Sequence, residues 1–143
     1  MTAEKPRILL IEDNPADADL VEEAFDQARL DCNLSILRDG AQAVAFIERL
    51  ESGQSSDCPD LVLLDLNLPK VSGETVLERM RSSPKCGNAK ILVVSSSDAP
   101  ADRARVIKLG ASDYFRKPSS LAQYMELGPK VQGMLKANPK TNS

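Results

Sequence analysis

Apolar residues in this chain form short unbroken runs, and longer amphipathic segments separate the runs. Uninterrupted aliphatic runs of this length are typical of strands that are buried on both faces. The pattern therefore predicts four strands, at residues 7–11, 34–37, 61–65 and 91–94. A shorter fifth strand is predicted at 113–116, around Tyr114 and Phe115.

The segments between these strands repeat their apolar residues at helical spacing. The first helix follows a capping loop, Asp13-Asn14-Pro15, and its apolar positions are Leu20, Val21, Ala24, Phe25 and Ala28. Further helices are predicted around 43–50, 76–80, 99–110 and 121–135. Gly110 is expected to end the fourth helix, and Gly128-Pro129 predicts a kink or break in the last.

Strands and helices thus alternate as five β/α units. Such alternation predicts an α/β fold with a doubly wound parallel sheet, right-handed crossovers and helices on both faces. The 143 residues suit one domain with a core at about 7–135, and we expect 138–143 to form a flexible tail.

The composition of the chain excludes some classes of function. Hydrophobic residues are 42% of the chain, but no apolar stretch approaches the roughly 20 residues that span a bilayer. The polar N-terminus carries no signal region, so we expect a cytoplasmic protein without membrane association. A net charge of −3 argues against direct nucleic-acid binding.

Histidine is absent, which excludes catalysis by an imidazole base. The three cysteines are widely separated and have no C-x-x-C spacing: Cys32, Cys58 and Cys86. From this spacing we expect neither a disulfide framework nor a zinc site.

Acidic residues follow two of the predicted strands. Asp65 ends the third strand, and Glu12-Asp13 follows the first. Strand carboxyl ends meet at one edge of a parallel sheet, where α/β folds place their sites. Carboxylate oxygens at that edge would suit Mg²⁺. Taken alone, Glu12-Asp13 is better explained as part of a helix N-cap region that offsets the helix dipole, whereas Asp65 has no cap position to fill.

Two further groups lie where the fourth and fifth strands end. Ser95 offers a hydroxyl, although Ser96 and Ser97 compete for that assignment, and Lys117 precedes Pro118. Both residues also have an ordinary explanation. Ser95 could be a serine that hydrogen-bonds local backbone, and Lys117 could be a solvated lysine in a loop. Together with the acids they form a set that handles phosphoryl groups. An ionised Asp65 can itself be the nucleophile, and the chain lacks an ATP-binding glycine loop, so the phosphoryl group must come from elsewhere.

These motifs and their order resemble the receiver domain of bacterial two-component response regulators. The resemblance covers about 7–135 and rests on Ile11-Glu12-Asp13-Asn14, Asp65-Leu66-Asn67-Leu68-Pro69 with Gly73, Ser95, and Lys117-Pro118. It implies a flavodoxin-like (βα)5 fold with strand order 2-1-3-4-5. The opening at 12–17, the long loop at 51–59 and the segment 95–98 are similar to the regulators that serve phytochrome-like sensor kinases.

The resemblance also implies a role for each site residue. Asp65 would be the phospho-acceptor. Glu12, Asp13, Asp65 and the backbone carbonyl of Asn67 would hold Mg²⁺.

Lys117 would pair with the phosphoryl group, Ser95 would be the switch hydroxyl, and Tyr114 would be the aromatic switch on the fifth strand. Ordinary half-buried packing, with the hydroxyl in water, is the other explanation of Tyr114.

The implied partners are a sensor histidine kinase, a downstream protein target and a second copy of the chain in a homodimer. We expect action through protein contacts, since no output domain follows Leu135 in the sequence.

Three alternatives remain open at the level of sequence. A dehalogenase-type aspartyl-phosphate phosphatase needs a second acid two residues after the nucleophile, where this chain has Asn67. A flavodoxin-like binding module needs a phosphate-binding loop after the first strand. In this chain Glu12-Asp13 occupies that place and would repel a phosphate. A degenerate receiver that serves only as a scaffold would not need the acids, Ser95 and Lys117.

Overall fold

The computed structural model describes residues 5–54 and 58–136. Five strands form one sheet in the order β2-β1-β3-β4-β5, and every pair of neighbours is parallel. The strands are β1 Arg7–Ile11, β2 Asn33–Leu37, β3 Leu61–Asp65, β4 Lys90–Ser95 and β5 Asp113–Arg116. The predicted strands, including the short fifth one, and the flavodoxin-like order are therefore confirmed.

Helices connect the strands and cover both faces of the sheet. They are α1 Pro15–Gln27, α2 Gly40–Glu51, α3 Gly73–Ser82, α4 Pro100–Leu109, α5 Leu121–Tyr124 and α6 Leu127–Lys136. Within the described ranges, no helix is long and apolar enough to cross a membrane. The tail predicted at 138–143 lies outside the described residues.

Alternate residues of the central strands enter two separate cores. Leu9 and Ile11 of β1 pack in the core under α2, α3 and α4, while Ile8 and Leu10 pack in the core under α1, α5 and α6. All five residues of β3 are buried. Burial on both faces explains why the strands read as continuous aliphatic runs, and it leaves the carboxyl edge of the sheet as the place for polar groups.

Asn14 caps the N-terminus of α1. Its Oδ1 accepts hydrogen bonds from the backbone N–H groups of Ala16 and Asp17, and Pro15 begins the helix. Asparagine is among the best N-cap residues because it satisfies donors that have no partner inside the helix. The N-cap residue is therefore Asn14 and neither acid of the Glu12-Asp13 pair, although Glu12 Oε2 accepts a hydrogen bond from the backbone N–H of Asn14 next to the start of the helix.

The last predicted helix is divided, but not at the predicted place. The break falls at Met125 and Glu126, between α5 and α6, whereas the sequence placed it at Gly128-Pro129. Pro129 lies in the first turn of α6, where the backbone N–H groups have no partner within the helix and proline loses nothing. Proline thus begins the second helix instead of interrupting it.

Cys58 and Cys86 form a disulfide, contrary to the prediction from cysteine spacing. Their Cα atoms are 5.6 Å apart, although 28 positions separate them in sequence. Cys58 lies just before β3 and Cys86 just before β4, and these strands are neighbours in the sheet. Strand pairing, which the spacing does not reveal, brings the two thiols together. Cys32 is a free thiol.

Candidate functional site

The register of the sheet places Glu12 beside Asp65. Ile11 pairs with Leu64 across β1 and β3, so the next residue of each strand is an acid. Both carboxylates are buried, with 2% and 5% of the residue exposed, while Asp13 is exposed. One oxygen from each of Glu12, Asp13 and Asp65 lies within 4.8 Å of the others. The predicted acid cluster is thus assembled at the carboxyl edge.

The electrostatics of this cluster favour a cation. Burial, a hydrogen bond with Asp65 and the charge of Asp65 raise the pKa of Glu12 to about 7, against a smaller opposing effect of Lys117. A carboxylate whose ionised form is disfavoured by burial and by a like charge gains most from a nearby positive ion. Three carboxylates whose oxygens lie this close together fit Mg²⁺, which prefers hard oxygen ligands and needs only one or two from the protein.

The loop after β3 fixes the backbone next to Asp65. The backbone N–H of Asn67 donates to Asp65 Oδ1 over 3.0 Å, so one oxygen of the Asp65 carboxylate has a fixed direction. Gly73 approaches the same loop closely, and its N–H donates to the carbonyl of Leu66. A Cβ at Gly73 would lie 2.4 Å from the Asp65 carbonyl oxygen. Glycine is therefore required there by contact with backbone.

Lys117 reaches the acids from the end of β5. Its Nζ lies 3.0 Å from Glu12 Oε1 and 3.4 Å from Asp65 Oδ2, and 14% of its side chain is exposed. The predicted convergence of acids and lysine is therefore present, and the solvated-lysine alternative is wrong. The peptide bond before Pro118 is trans, so the lysine reaches the pocket without the cis bond that the sequence left open.

Asp17 is a fourth carboxylate that the sequence reasoning did not select. Its Oδ2 lies 2.9 Å from Lys117 Nζ, the shortest of the three ion pairs that this lysine forms with described residues. Burial alone lowers the pKa of Lys117, but the hydrogen bond to Asp17 and the charges of Asp65 and Glu12 outweigh it and raise that pKa. The available signal was position: Asp17 lies in the first turn of α1, directly after the acid pair.

Ser95 is buried at the end of β4, one position beyond the residue that pairs with Asp65. Its Oγ accepts a hydrogen bond from the N–H of Ser97, as the local-backbone alternative anticipated. Ser97 is engaged elsewhere, because its hydroxyl donates to Asp102 over 2.5 Å, and Ser96 is exposed. Of the three serines, Ser95 is the buried one beside the acid pocket.

The two tyrosines near this edge differ in their hydrogen bonding. Tyr114 is buried, and its hydroxyl donates to the carbonyl of Ser97 over 2.8 Å, so the hydroxyl is not left to water. Tyr124 is 3% exposed, and among the described residues its hydroxyl has no hydrogen-bond partner. Burial, and next the charge of Asp17, raise the pKa of Tyr124.

Fold and site together define a class: an α/β domain whose strand ends assemble acids, a hydroxyl and an ammonium around one aspartate. A family model described as response regulator receiver domain matches residues 8–127. The chain belongs to this family. Membership removes the phosphatase and flavodoxin-like alternatives.

Proteins similar to this chain over most of their own length include two cyanobacterial response regulators. Response regulator Rcp1 of Synechocystis sp. is 35% identical over 127 residues, which cover 89% of this chain and 84% of that protein. The structure of the phosphorylated cyanobacterial phytochrome response regulator RcpA is 32% identical, with a TM-score of 0.82, and the match covers 93% and 94% of the two chains.

A Mn²⁺-bound structure of Rcp1 is also 32% identical, with a TM-score of 0.81 and coverage of 93% and 96%. The predicted similarity to phytochrome-associated regulators is therefore confirmed.

Proposed function

We propose that Asp65 is the residue of this receiver that accepts a phosphoryl group from a phosphohistidine of a sensor kinase. The observation that carries the proposal is the convergence on Asp65 of two acids and an ammonium, from the ends of three strands. A degenerate scaffold would not need to keep these buried charges together, because unpaired buried charges are costly.

The transfer exchanges one bond to phosphorus for another. A carboxylate oxygen of Asp65 attacks the phosphorus atom and forms an acyl phosphate, while the bond from phosphorus to the imidazole nitrogen of the donor breaks. The nitrogen keeps the electron pair and takes a proton from solvent. No general base is needed, since a carboxylate oxygen, unlike a hydroxyl, attacks without losing a proton.

Glu12, Asp13, Asp65 and the backbone carbonyl of Asn67 would hold Mg²⁺. When bound, the ion would neutralise part of the negative charge on the phosphoryl group that is transferred. Lys117 contributes a second positive charge beside Asp65, within 3.4 Å of its Oδ2. We propose that the chain itself catalyses both the transfer and the later hydrolysis, in which water attacks phosphorus and Asp65 leaves as the carboxylate.

Phosphorylation would then alter the face formed by β4, α4 and β5. A new dianion on Asp65 attracts the ammonium of Lys117 and the hydroxyl of Ser95, which adds hydrogen bonds to an acceptor that was singly charged. Ser95 accepts from the N–H of Ser97, and Ser97 holds Tyr114, so movement of Ser95 strains a chain of contacts that reaches β5. We assign Ser95 and Tyr114 the switch roles on this basis.

The proposed partners follow from this surface and from the family. We propose a sensor histidine kinase of the phytochrome type as donor, a protein target, and a homodimer through α4 and β5. The exposed Ile107 of α4 supports an apolar contact there. We further propose one receiver domain with a core at about 7–135, acting in the cytoplasm.

Intact mass after incubation with acetyl phosphate tests the acceptor assignment. The wild type gains one phosphoryl group with Mg²⁺ and none with a chelator. Asp65→Asn gains none, while Asp60→Asn, an exposed acid before the other end of β3, labels as the wild type does. Retained labelling of Asp65→Asn at the normal rate would overturn the assignment. Wild type that takes up no phosphoryl group would favour the scaffold.

A further inference from the structure

Asp17 occupies a fixed place beside the acid pocket. The Asn14 cap binds the backbone N–H of Asp17, so the first turn of α1 has a defined position relative to the end of β1. About a quarter of the Asp17 side chain is exposed, which leaves the carboxylate at the rim of the pocket. The residue is therefore held where it contacts Lys117, but it is not part of the oxygen cluster of Glu12, Asp13 and Asp65.

Lys117 needs such an anchor. An ammonium on four methylene groups is a mobile point charge, and a lysine gains position only from the partners of its three donors. The three acceptors here are Asp17 at 2.9 Å, Glu12 at 3.0 Å and Asp65 at 3.4 Å. Of these acceptors, Glu12 and Asp65 belong to the proposed metal and phosphoryl chemistry. Asp17 alone is free to hold Lys117 throughout the reaction.

We propose that Asp17 is a positioning residue, whose carboxylate holds the Lys117 ammonium at the pocket so that it stays within reach of Asp65. The inference rests on the proposed phosphoryl transfer to Asp65 and adds a residue to it. The ordinary alternative is an acid that only offsets the dipole of α1, as first-turn acids commonly do.

Substitution separates the two explanations. Asp17→Asn keeps the size of the side chain and a weak acceptor but removes the charge, and we expect about tenfold slower labelling by acetyl phosphate from loss of one charge-assisted hydrogen bond. Asp17→Glu keeps the carboxylate and should restore labelling to within about threefold of the wild type. Asp19→Asn removes the same charge from an exposed position of α1 and should label normally.

A double-mutant cycle shows whether Asp17 acts through Lys117. In a Lys117→Met background the anchor has nothing to hold, so we expect Asp17→Asn to change the rate by less than about twofold. An equal slowing in both backgrounds, or a normal rate for Asp17→Asn alone, overturns the inference.

A second readout requires neither metal nor phosphodonor. Hydrogen-bonded lysine ammonium protons exchange slowly enough to give a ¹H–¹⁵N signal, which Lys117→Met identifies by its loss. We expect Asp17→Asn to broaden or abolish that signal in the metal-free protein and Asp19→Asn to leave it sharp. An unchanged Lys117 signal in Asp17→Asn overturns the inference even if transfer in the Lys117→Met background is too slow to measure.

These results distinguish the two levels of the proposal. If Asp65→Asn labels normally, the acceptor assignment fails, whatever Asp17 does. If Asp65→Asn is inert and Asp17→Asn behaves as the wild type does, only the role of Asp17 fails. Circular dichroism and the melting temperature of each variant exclude loss of folding as the cause.

Discussion

The hydroxyl of Tyr114 on β5 is hydrogen-bonded to the backbone carbonyl of Ser97 in the loop after β4, with 2.8 Å between the oxygens. The ring is buried at the same time, with 6% of the residue exposed. The hydrogen bond ties the end of the central sheet to the segment that begins α4. It gives Tyr114 a structural role that does not depend on phosphorylation.

Tyr114→Phe should lower the free energy of unfolding by about 1 kcal/mol, because the partly buried Ser97 carbonyl loses its hydrogen-bond donor. Tyr124→Phe is the matched control. The Tyr124 hydroxyl is buried and, within the described part of the chain, unpartnered, so its removal should be neutral or stabilising by up to about 1 kcal/mol. Urea denaturation of both variants measures the difference, and equal losses would contradict it.

Ser95→Ala should still be labelled at Asp65 but should lose most of the conformational response. The variant lacks the hydroxyl that we expect to follow the phosphoryl group, and it also leaves the Ser97 N–H without its acceptor, at about 1 kcal/mol of stability. Ser95→Thr keeps a hydroxyl and should keep the response.

Intrinsic tyrosine fluorescence reports this response, because the chain has two tyrosines and no tryptophan. The change on adding Mg²⁺ and acetyl phosphate is compared between the variants, with the exposed Ser96→Ala as control. A full response in labelled Ser95→Ala would show that the switch does not use this hydroxyl.

Gly73→Ala should destabilise the protein by about 1 to 3 kcal/mol, since the new methyl group must push apart backbone that cannot yield easily. The Cβ would lie 2.6 Å from the Cα of Leu66 as well as against Asp65. Labelling should also slow, because the displaced backbone carries the acceptor.

Gly133→Ala provides the opposite case on the exposed side of α6, where nothing lies within 4 Å of the added atom. That variant should be more stable by about 0.5 to 1 kcal/mol, the cost of glycine inside a helix. Thermal melts of the two variants should therefore shift in opposite directions.

Loss of the disulfide should lower stability by about 3 to 4 kcal/mol, the chain-entropy value for a loop of this length. Cys58→Ser, or a reducing agent, should produce the loss, and Cys32→Ser should not. Since both bridged residues lie before β3 and β4, at the amino ends of those strands, labelling at Asp65 should be unchanged at temperatures where the variant is folded. Identical melting with and without reductant would show that the bridge contributes nothing.

The local sequence predicted the structure most reliably at positions where the type of a single residue determines the backbone conformation. Asn14 and Pro15 begin α1, and Gly110 ends α4 in the left-handed region with φ 117°, as their types require. The aliphatic runs located β1, β3 and β4 to within one residue because strands buried on both faces need no polar alternation. Pro129 shows the limit, since the same residue either breaks or begins a helix according to where the helix starts.

The sequence by itself determined the alternation of strands and helices, the acids at two strand ends, and the motifs that placed the chain in its family. Only the tertiary structure decided which distant groups meet. The pairing of β3 with β4 joined Cys58 to Cys86, and the packing of α1 against α5 and α6, the helices that follow Lys117, accompanies the contact of Lys117 with Asp17. Local propensity acts over a few residues, whereas these contacts depend on sheet register and helix packing, which the whole chain sets together.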